Sequence, residues 1–418
     1  MKKIIFTGIA FFILSGIFAQ DLKKAKSYLD AKQLDKAKTE IDAYVAKTPG
    51  DPSGLYLKSK IYGEIAANDQ FKTLVADPRS EAFEAFKKSI DIDTKNILLL
   101  ELTKDQYKPI FNIYTGYYDA GAAYFNTAIT SNKKEDFDNA LNTFKKANVV
   151  GQYIYKKKWA LSELDTPLVL IMGKAALNAG KKDEALNYFK SLADANITQT
   201  RGDNVSYELP YQWLTYYYKD AKDEANFLKY SSLGKKYFPK DDYYDAVALD
   251  YYRDKKDYNT LFKKYDEVLV TYPDSVRYHF NYANEAFTYV YSDEGIKVNN
   301  RDALLKNIGS EIQKALTLNP NDVNTNWLAA QYYYNQGVDL KQNVMTIKGT
   351  KPEDVKMKAD INMHAKDMLN KAIPYTDKAL SSLESNGYKK SDKSRYKSLV
   401  DLEQRIYQAL NQADKVKL

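Results

Sequence analysis

The chain has no cysteine in 418 residues. Disulfides, thiolate nucleophiles and cysteine-held metal ions are excluded at once. So is the lipid anchor of a bacterial lipoprotein, which needs a cysteine directly after its leader. Histidine occurs only at His279 and His364, and both read as surface or packing residues. Glycine (17) and proline (11) are scarce, too few for the many tight turns of a β-sandwich. There is no Gly-x-Ser-x-Gly elbow and no Gly-x-x-x-x-Gly-Lys phosphate loop. The carboxylate clusters Asp241, Asp242, Asp245 and Glu135, Asp136, Asp138 fall near expected turns beside lysines, the pattern of solvated surface. Net charge is +7 with both signs interspersed, so the concentrated basic stripe of a nucleic-acid binder is missing. Neither a catalytic centre nor a cofactor or metal site is expected, and no nucleic-acid partner.

What is present points to helix. Hydrophobic content of 44% with 28% charge suits an ordered globular chain, and long runs of Ala, Leu, Lys, Glu and Asp favour helix. Lys2 and Lys3 precede an almost wholly apolar run, Ile4 to Phe18, then Ala19-Gln20 and the charged Asp21-Leu22-Lys23-Lys24. That order predicts a signal peptide over residues 1–20, cut after Ala19 or Gln20. Its apolar run of about 15 residues is shorter than the roughly 20 that span a bilayer as a helix. The longest later run, Leu168 to Met172, has five residues. The mature chain is therefore expected to be periplasmic or secreted, with no transmembrane segment, and to meet the envelope only through a partner.

The remaining sequence repeats itself. Phe238-Pro239-Lys240-Asp241 and Tyr272-Pro273-Asp274 end two similar stretches, and Pro239 to Pro273 is 273 − 239 = 34 residues. Between them Leu249, Tyr251, Tyr252, Tyr258, Leu261, Tyr265 and Val268 carry the apolar pattern of a helical hairpin. A fixed period of this length marks stacked helix pairs. In Leu170 to Phe189, Gly173 and Ala185 are placed where two antiparallel helices cross, with Phe189 one turn further on and Gly180-Lys181 as the turn. The segment resembles the tetratricopeptide repeat. The register extends to Ala25, Tyr28, Leu34, Ala37, Ile41 and Pro49 at the start and to Ala372, Tyr375 and Ala379 near the end. The resemblance implies an all-α, right-handed superhelical solenoid of antiparallel helix pairs over residues 21–390. It would hold about eight degenerate units, with insertions near 66–80 and 340–360. Asn96 to Ile113 reads as an extra helix wedged between units. Tyr396, Leu399, Leu402, Ile406 and Leu410 predict an amphipathic capping helix within 391–418.

Such an array implies a binding surface on its inner face. Tyrosine is unusually frequent, 37 residues, and a tyrosine triplet cannot serve one surface when successive helix residues point about 100° apart. Tyr218 and Tyr252 are assigned to packing and Tyr216 to the inner face. The first helices of successive units place Tyr56, Lys60, Lys174, Gln212, Tyr216 and Lys219 on that face. Further along they add Asp250, Arg253, Arg277, Phe280, Asn284, Asn324, Trp327 and Gln331. Aromatic anchors among basic and amide groups fit a protein or peptide segment of acidic character, so the expected role is an exported interaction scaffold. The alternative is a glycan-binding helical-repeat protein, as outer-membrane sugar-capture proteins also contain such helices. Those proteins are usually larger and anchored through cysteine. Three short motifs complete the reading. Arg201-Gly202-Asp203 has the form of an adhesion tripeptide but is taken as chance. Asn196-Ile197-Thr198 and Asn204-Val205-Ser206 are sequons with no role in a bacterium. Asp274-Ser275-Val276 is either a helix start with Ser275 as cap or an acceptor for an O-linked sugar.

Overall fold

A computed structural model describes residues 21–199, 205–385, 389 and 392–412. The expected leader, the Arg201-Gly202-Asp203 tripeptide, Asn204 and residues 413–418 lie outside the described residues. Among those described there is no strand, and one isolated antiparallel bridge joins Gln199 to Ser206. The rest is helix and turn. Helix α1 covers residues 21–30. It is followed by α2 Leu34–Lys47, α3 Pro52–Ala67, α4 Pro78–Ile92, α5 Leu99–Lys104, α6 Lys108–Ser131 and α7 Lys134–Lys156. Then come α8 Thr166–Asn178, α9 Lys182–Asp194, α10 Glu208–Asp220 and α11 Glu224–Tyr237. These belong to one compact unit, which ends at Lys240. A second unit begins at Asp241. It holds α12 Tyr243–Asp254, α13 Tyr258–Thr271, α14 Val276–Val290, α15 Arg301–Leu318, α16 Val323–Thr346, α17 Pro352–Ser385 and α18 Lys393–Ala409.

Local chemistry sets the helix boundaries. Asp51, Asp77, Asp165, Asp223, Asp257, Ser275 and Asp322 each accept a hydrogen bond from a backbone N–H in the first turn of the helix that follows. At the other end, α2, α11, α13 and α15 stop at Thr48, Phe238, Tyr272 and Asn319, each directly before a proline. Proline drives its preceding residue out of the helical region, so the repeated proline is the physical end of a second helix. Within the pairs the turns pass through a left-handed residue at Lys32, Asn132, Gly180, Lys222 and Lys256. Lys222 and Lys256 are again 256 − 222 = 34 residues apart. Only Gly180 takes this conformation without the steric cost a side chain incurs.

Close crossing holds helices together both within pairs and between successive pairs. Gly54 in α3 lies under the ring of Tyr44 from α2, Gly121 in α6 under Phe144 from α7, and Gly173 in α8 under Phe189 from α9. A methyl group on any of the three would come within 2.5–2.6 Å of a ring carbon. Phe189 is the nearest group to Gly173, and Ala185 is fully buried. In the second unit α13 and α14 pack through Leu261, Tyr265 and Tyr282, and α15 and α16 through Ile308, Leu328 and Tyr332. Tyr265 stacks on Tyr282 with ring centroids 5.1 Å apart.

Three expectations gain detail. The extra residues near 340–360 lengthen both helices around a short turn: α16 continues to Thr346 and α17 starts at Pro352. The wedge over 96–113 is two elements, short α5 and the first turns of the long α6. Tyr251 and Tyr252 share the packing: Tyr251 is 7% exposed, while Tyr252 is partly buried against the second unit's core. The capping segment forms α18, whose Leu402 and Ile406 close over Ala330 and Ala372, with Leu399 packing on Ala379 and Leu383. Tyr218 is buried and Tyr216 is 58% exposed.

Two measurements test this packing. Gly173→Ala drives a methyl group into Phe189 and should destabilise the first unit by about 1–3 kcal/mol. Gly63→Ala meets nothing within 4 Å and should stabilise α3 by roughly 0.5–1 kcal/mol; thermal or urea melts of the two variants decide. Burial, then a hydrogen bond to Asp51, pushes the Tyr44 phenol up to about 12. Burial, then Asp194, does the same for Tyr230, also to about 12. A phenol raised by folding stabilises fully below its unfolded value of about 10, and that contribution is lost as pH climbs towards 12. The melting midpoint should fall between pH 10 and 12, and less steeply in Tyr44→Phe and Tyr230→Phe.

Candidate functional site

The first unit contains a cleft of about 960 Å³. Its walls are the end of α1, one face of α3, Arg79 at the start of α4, and the α5–α6 segment. Small residues open it. Ser59, Gly63 and Ala67 follow each other at intervals of four along α3, and Asn112, Gly116 and Ala120 do so along α6. Residues four apart share a helix face, so each wall presents a low stripe where larger side chains would close the space. A Cβ built on Gly63 meets nothing within 4 Å.

Four of the charged groups that line the cleft, Lys60, Asp105, Lys32 and Glu64, are tied up in pairs inside the protein. Lys60 Nζ donates to Asp105 Oδ2 at 2.8 Å, and Tyr56 Oη donates to the same oxygen at 2.8 Å. Burial works to raise the Asp105 carboxyl, but the hydrogen bonds from Lys60 and Tyr56 outweigh it and hold it below the usual range. Burial and then Asp105 drive the Tyr56 phenol well above its ordinary value. Lys32 pairs with Glu64 across the α1–α3 side at 2.7 Å. Two groups stand apart. Arg79 is half-buried and makes a single hydrogen bond, from Nη2 to the Ala66 carbonyl at 3.3 Å, with no carboxylate partner among the described residues. Ser59 is 1% exposed, and its Oγ has no hydrogen-bond partner. None of the lining side chains is aromatic.

Of the residues the sequence placed on an inner face, only Lys60 lines this cleft. Tyr56 is a correction. It is 1% exposed, because Asp105 and Phe86 cover it, so its ring offers no face to a ligand. Lys174 on α8 and Gln212, Tyr216 and Lys219 on α10 belong to the same unit but do not line the cleft. In the second unit Arg253 is committed to Asp250 and to Glu285 at 2.5 Å, with the Tyr265 hydroxyl beside it. Arg277 is exposed and pairs with Asp242. Phe280 packs against the core of that unit. Trp327 is half-buried against residues of α16, α17 and α18, which removes it from open surface. Asn284 and Asn324 are exposed and Gln331 is half-buried. His279 is buried, with Nε2 donating to the Pro273 carbonyl at 2.7 Å and Nδ1 facing Glu311. It ties α14 to α15, while His364 is exposed.

Sequence reasoning missed Arg79, Ser59 and the α5–α6 wall. The available signal was the wedge itself: a helix inserted between units must leave a gap beside it. Among the described residues no His, Cys, Asp and Glu cluster is able to hold a metal ion, and no helix is long and apolar enough to cross a membrane.

No protein-family model matches the chain, and no curated protein matches it. Solved structures similar to it include the TPR domain of P58(IPK), at 14% identity, covering 95% of this chain and 99% of that one, with a TM-score of 0.26. A human IFIT1 dimer with m7Gppp-AAAA is 16% identical, covers 86% of this chain and 88% of its own, and scores 0.24. The APC/C hetero-tetramer Cut9-Hcn1 is 13% identical, covers 96% and 88%, and scores 0.21. Scores this low add nothing to what the helix pairing establishes.

The Asp105 junction is open to test. Asp105→Asn leaves Tyr56 and Lys60 without their charged acceptor and should cost the first unit about 1–3 kcal/mol. Lys60→Met, which removes the cation from the half-exposed side of the same contact, should cost less. Unfolding midpoints of the two variants give the comparison. The fold follows from the chain's own geometry: within each unit the described residues form all-α helix pairs.

Proposed function

We propose that the protein is an exported, non-enzymatic interaction scaffold, and that the α3–α6 cleft of its first unit receives an extended segment of a partner protein. The observation that carries this reading is the pair of small-residue stripes. They open a channel of about 960 Å³ next to a half-buried arginine without a carboxylate partner. A peptide backbone needs close approach and scattered polar groups, and both walls supply them. A glycan site is expected to offer an aromatic face for stacking, and no aromatic side chain lines this cleft, which favours protein over sugar. The signal-like residues 1–20 and the missing cysteine support a periplasmic or secreted chain that joins the envelope through its partner. The exposed positions Tyr216, Arg277 and Asn284 and the half-buried Lys174 remain available as secondary contacts within their own units.

Gly63→Trp fills the cleft while leaving the outer surface intact. A protein that co-purifies with the wild type from envelope extracts should be lost from this variant, whose helical circular dichroism should be unchanged. Retention of the same partner, or a glycan-array hit that Gly63→Trp abolishes, contradicts the reading. N-terminal sequencing of the exported chain should start at Gln20 or Asp21.

A further inference from the structure

Two groups of the cleft can be placed along α3. Arg79 hydrogen-bonds the carbonyl of Ala66, and Ser59 lies seven residues earlier on α3. At 1.5 Å per residue that is about 10 Å along the helix. An extended chain covers this distance in about three residues. Arg79 lies against Gly116 on the opposite wall. A Cβ there would stand 2.6 Å from Nε of Arg79, so only glycine lets the guanidinium lie against α6.

Of the other lining cations, Lys60 is committed to Asp105 and Lys32 to Glu64, while Lys104 and Lys108 are exposed. Arg79 is therefore the half-buried cation of the lining that has no carboxylate partner among the described residues. One planar, forked cation matches one carboxylate, whereas a phosphate dianion calls for more positive charge. The buried Ser59 hydroxyl, 99% screened from solvent and without a partner, is the second observation. An orphaned buried hydroxyl costs stability unless something fills its hydrogen bond.

We infer that the cleft binds a peptide through a carboxylate received by Arg79, with a main-chain polar group about three residues away satisfying Ser59. This rests on the reading of the cleft as a peptide site. The carboxylate belongs either to an acidic side chain or to a free C-terminus, and the experiment separates the two.

Binders are selected from a synthetic random octapeptide pool against the full chain, then measured by fluorescence polarisation. The wild type is compared with Arg79→Gln, Arg79→Lys and Gly63→Trp. Binders excluded by Gly63→Trp should carry a carboxylate. Amidating the C-terminus, or changing Glu to Gln and Asp to Asn, should weaken one class of them by about 10-fold or more. Whichever change has the effect identifies the source. Arg79→Gln should weaken binding to the same extent, and combining it with the neutralised peptide should add little further loss. Arg79→Lys should restore only part. If peptides excluded by Gly63→Trp bind wild type and Arg79→Gln equally, the inference is wrong while the cleft remains a peptide site. Binders that require a phosphate also overturn it. If no selected peptide is sensitive to Gly63→Trp, the peptide-site reading fails and this inference fails with it. The neutralised peptides test the point on unaltered protein, so misfolding of a variant does not obscure the result.

Discussion

The structure depends on helices that approach closely enough for an aromatic ring of one to rest on a glycine of the next. Tyr44 on Gly54, Phe144 on Gly121 and Phe189 on Gly173 are three versions of this contact in the first unit. Each gains ring burial that a larger residue would prevent, and each fixes where the two helices cross. The residues around the contact then follow from spacing: the capping aspartate before the next helix, the left-handed turn residue inside the pair, and the proline that ends it. Tyr44 shows how tightly these are linked. Its ring lies on Gly54 and its hydroxyl donates to Asp51 at 2.7 Å, the same carboxylate that caps α3.

The cleft uses the same device in the opposite sense. Where a glycine has no ring above it, as at Gly63, the helix face stays open. The α5–α6 segment stands off from α3 instead of closing on it, pinned by Asp105 to Tyr56 and Lys60. One carboxylate thus stabilises the junction and removes a tyrosine and a lysine from ligand contact. Arg79 and Ser59 are what this arrangement leaves unsatisfied. That distinction, between charges already consumed by the fold and charges left over, locates the site better than the presence of basic or aromatic residues.

Much of the fold was legible because it is local. Helix pairs, their prolines, the turn at Gly180 and the terminal helix are all written in spacings of fewer than 40 residues. The site was not, because its partners are distant in sequence. Tyr56 occupies an inner-face register position, yet Asp105, 49 residues away, covers its hydroxyl. Trp327 does too, but it packs against residues of α17 and α18. Arg253 has the charge expected of a groove residue, but Glu285, 32 residues on, neutralises it. No periodicity encodes such contacts. The extra residues near 340–360 were legible as a departure from the repeat length, but a count of repeats does not say that they lengthen the two helices.

The most direct test of the central claim is photo-crosslinking of the partner in cells from single introduced residues. A photoreactive amino acid at Ala67, exposed on the cleft wall, is compared with one at Asn284, exposed on α14 of the second unit. The account predicts a discrete crosslinked protein from position 67 that is absent or much weaker from position 284. A crosslink from position 284 with none from position 67 would contradict it.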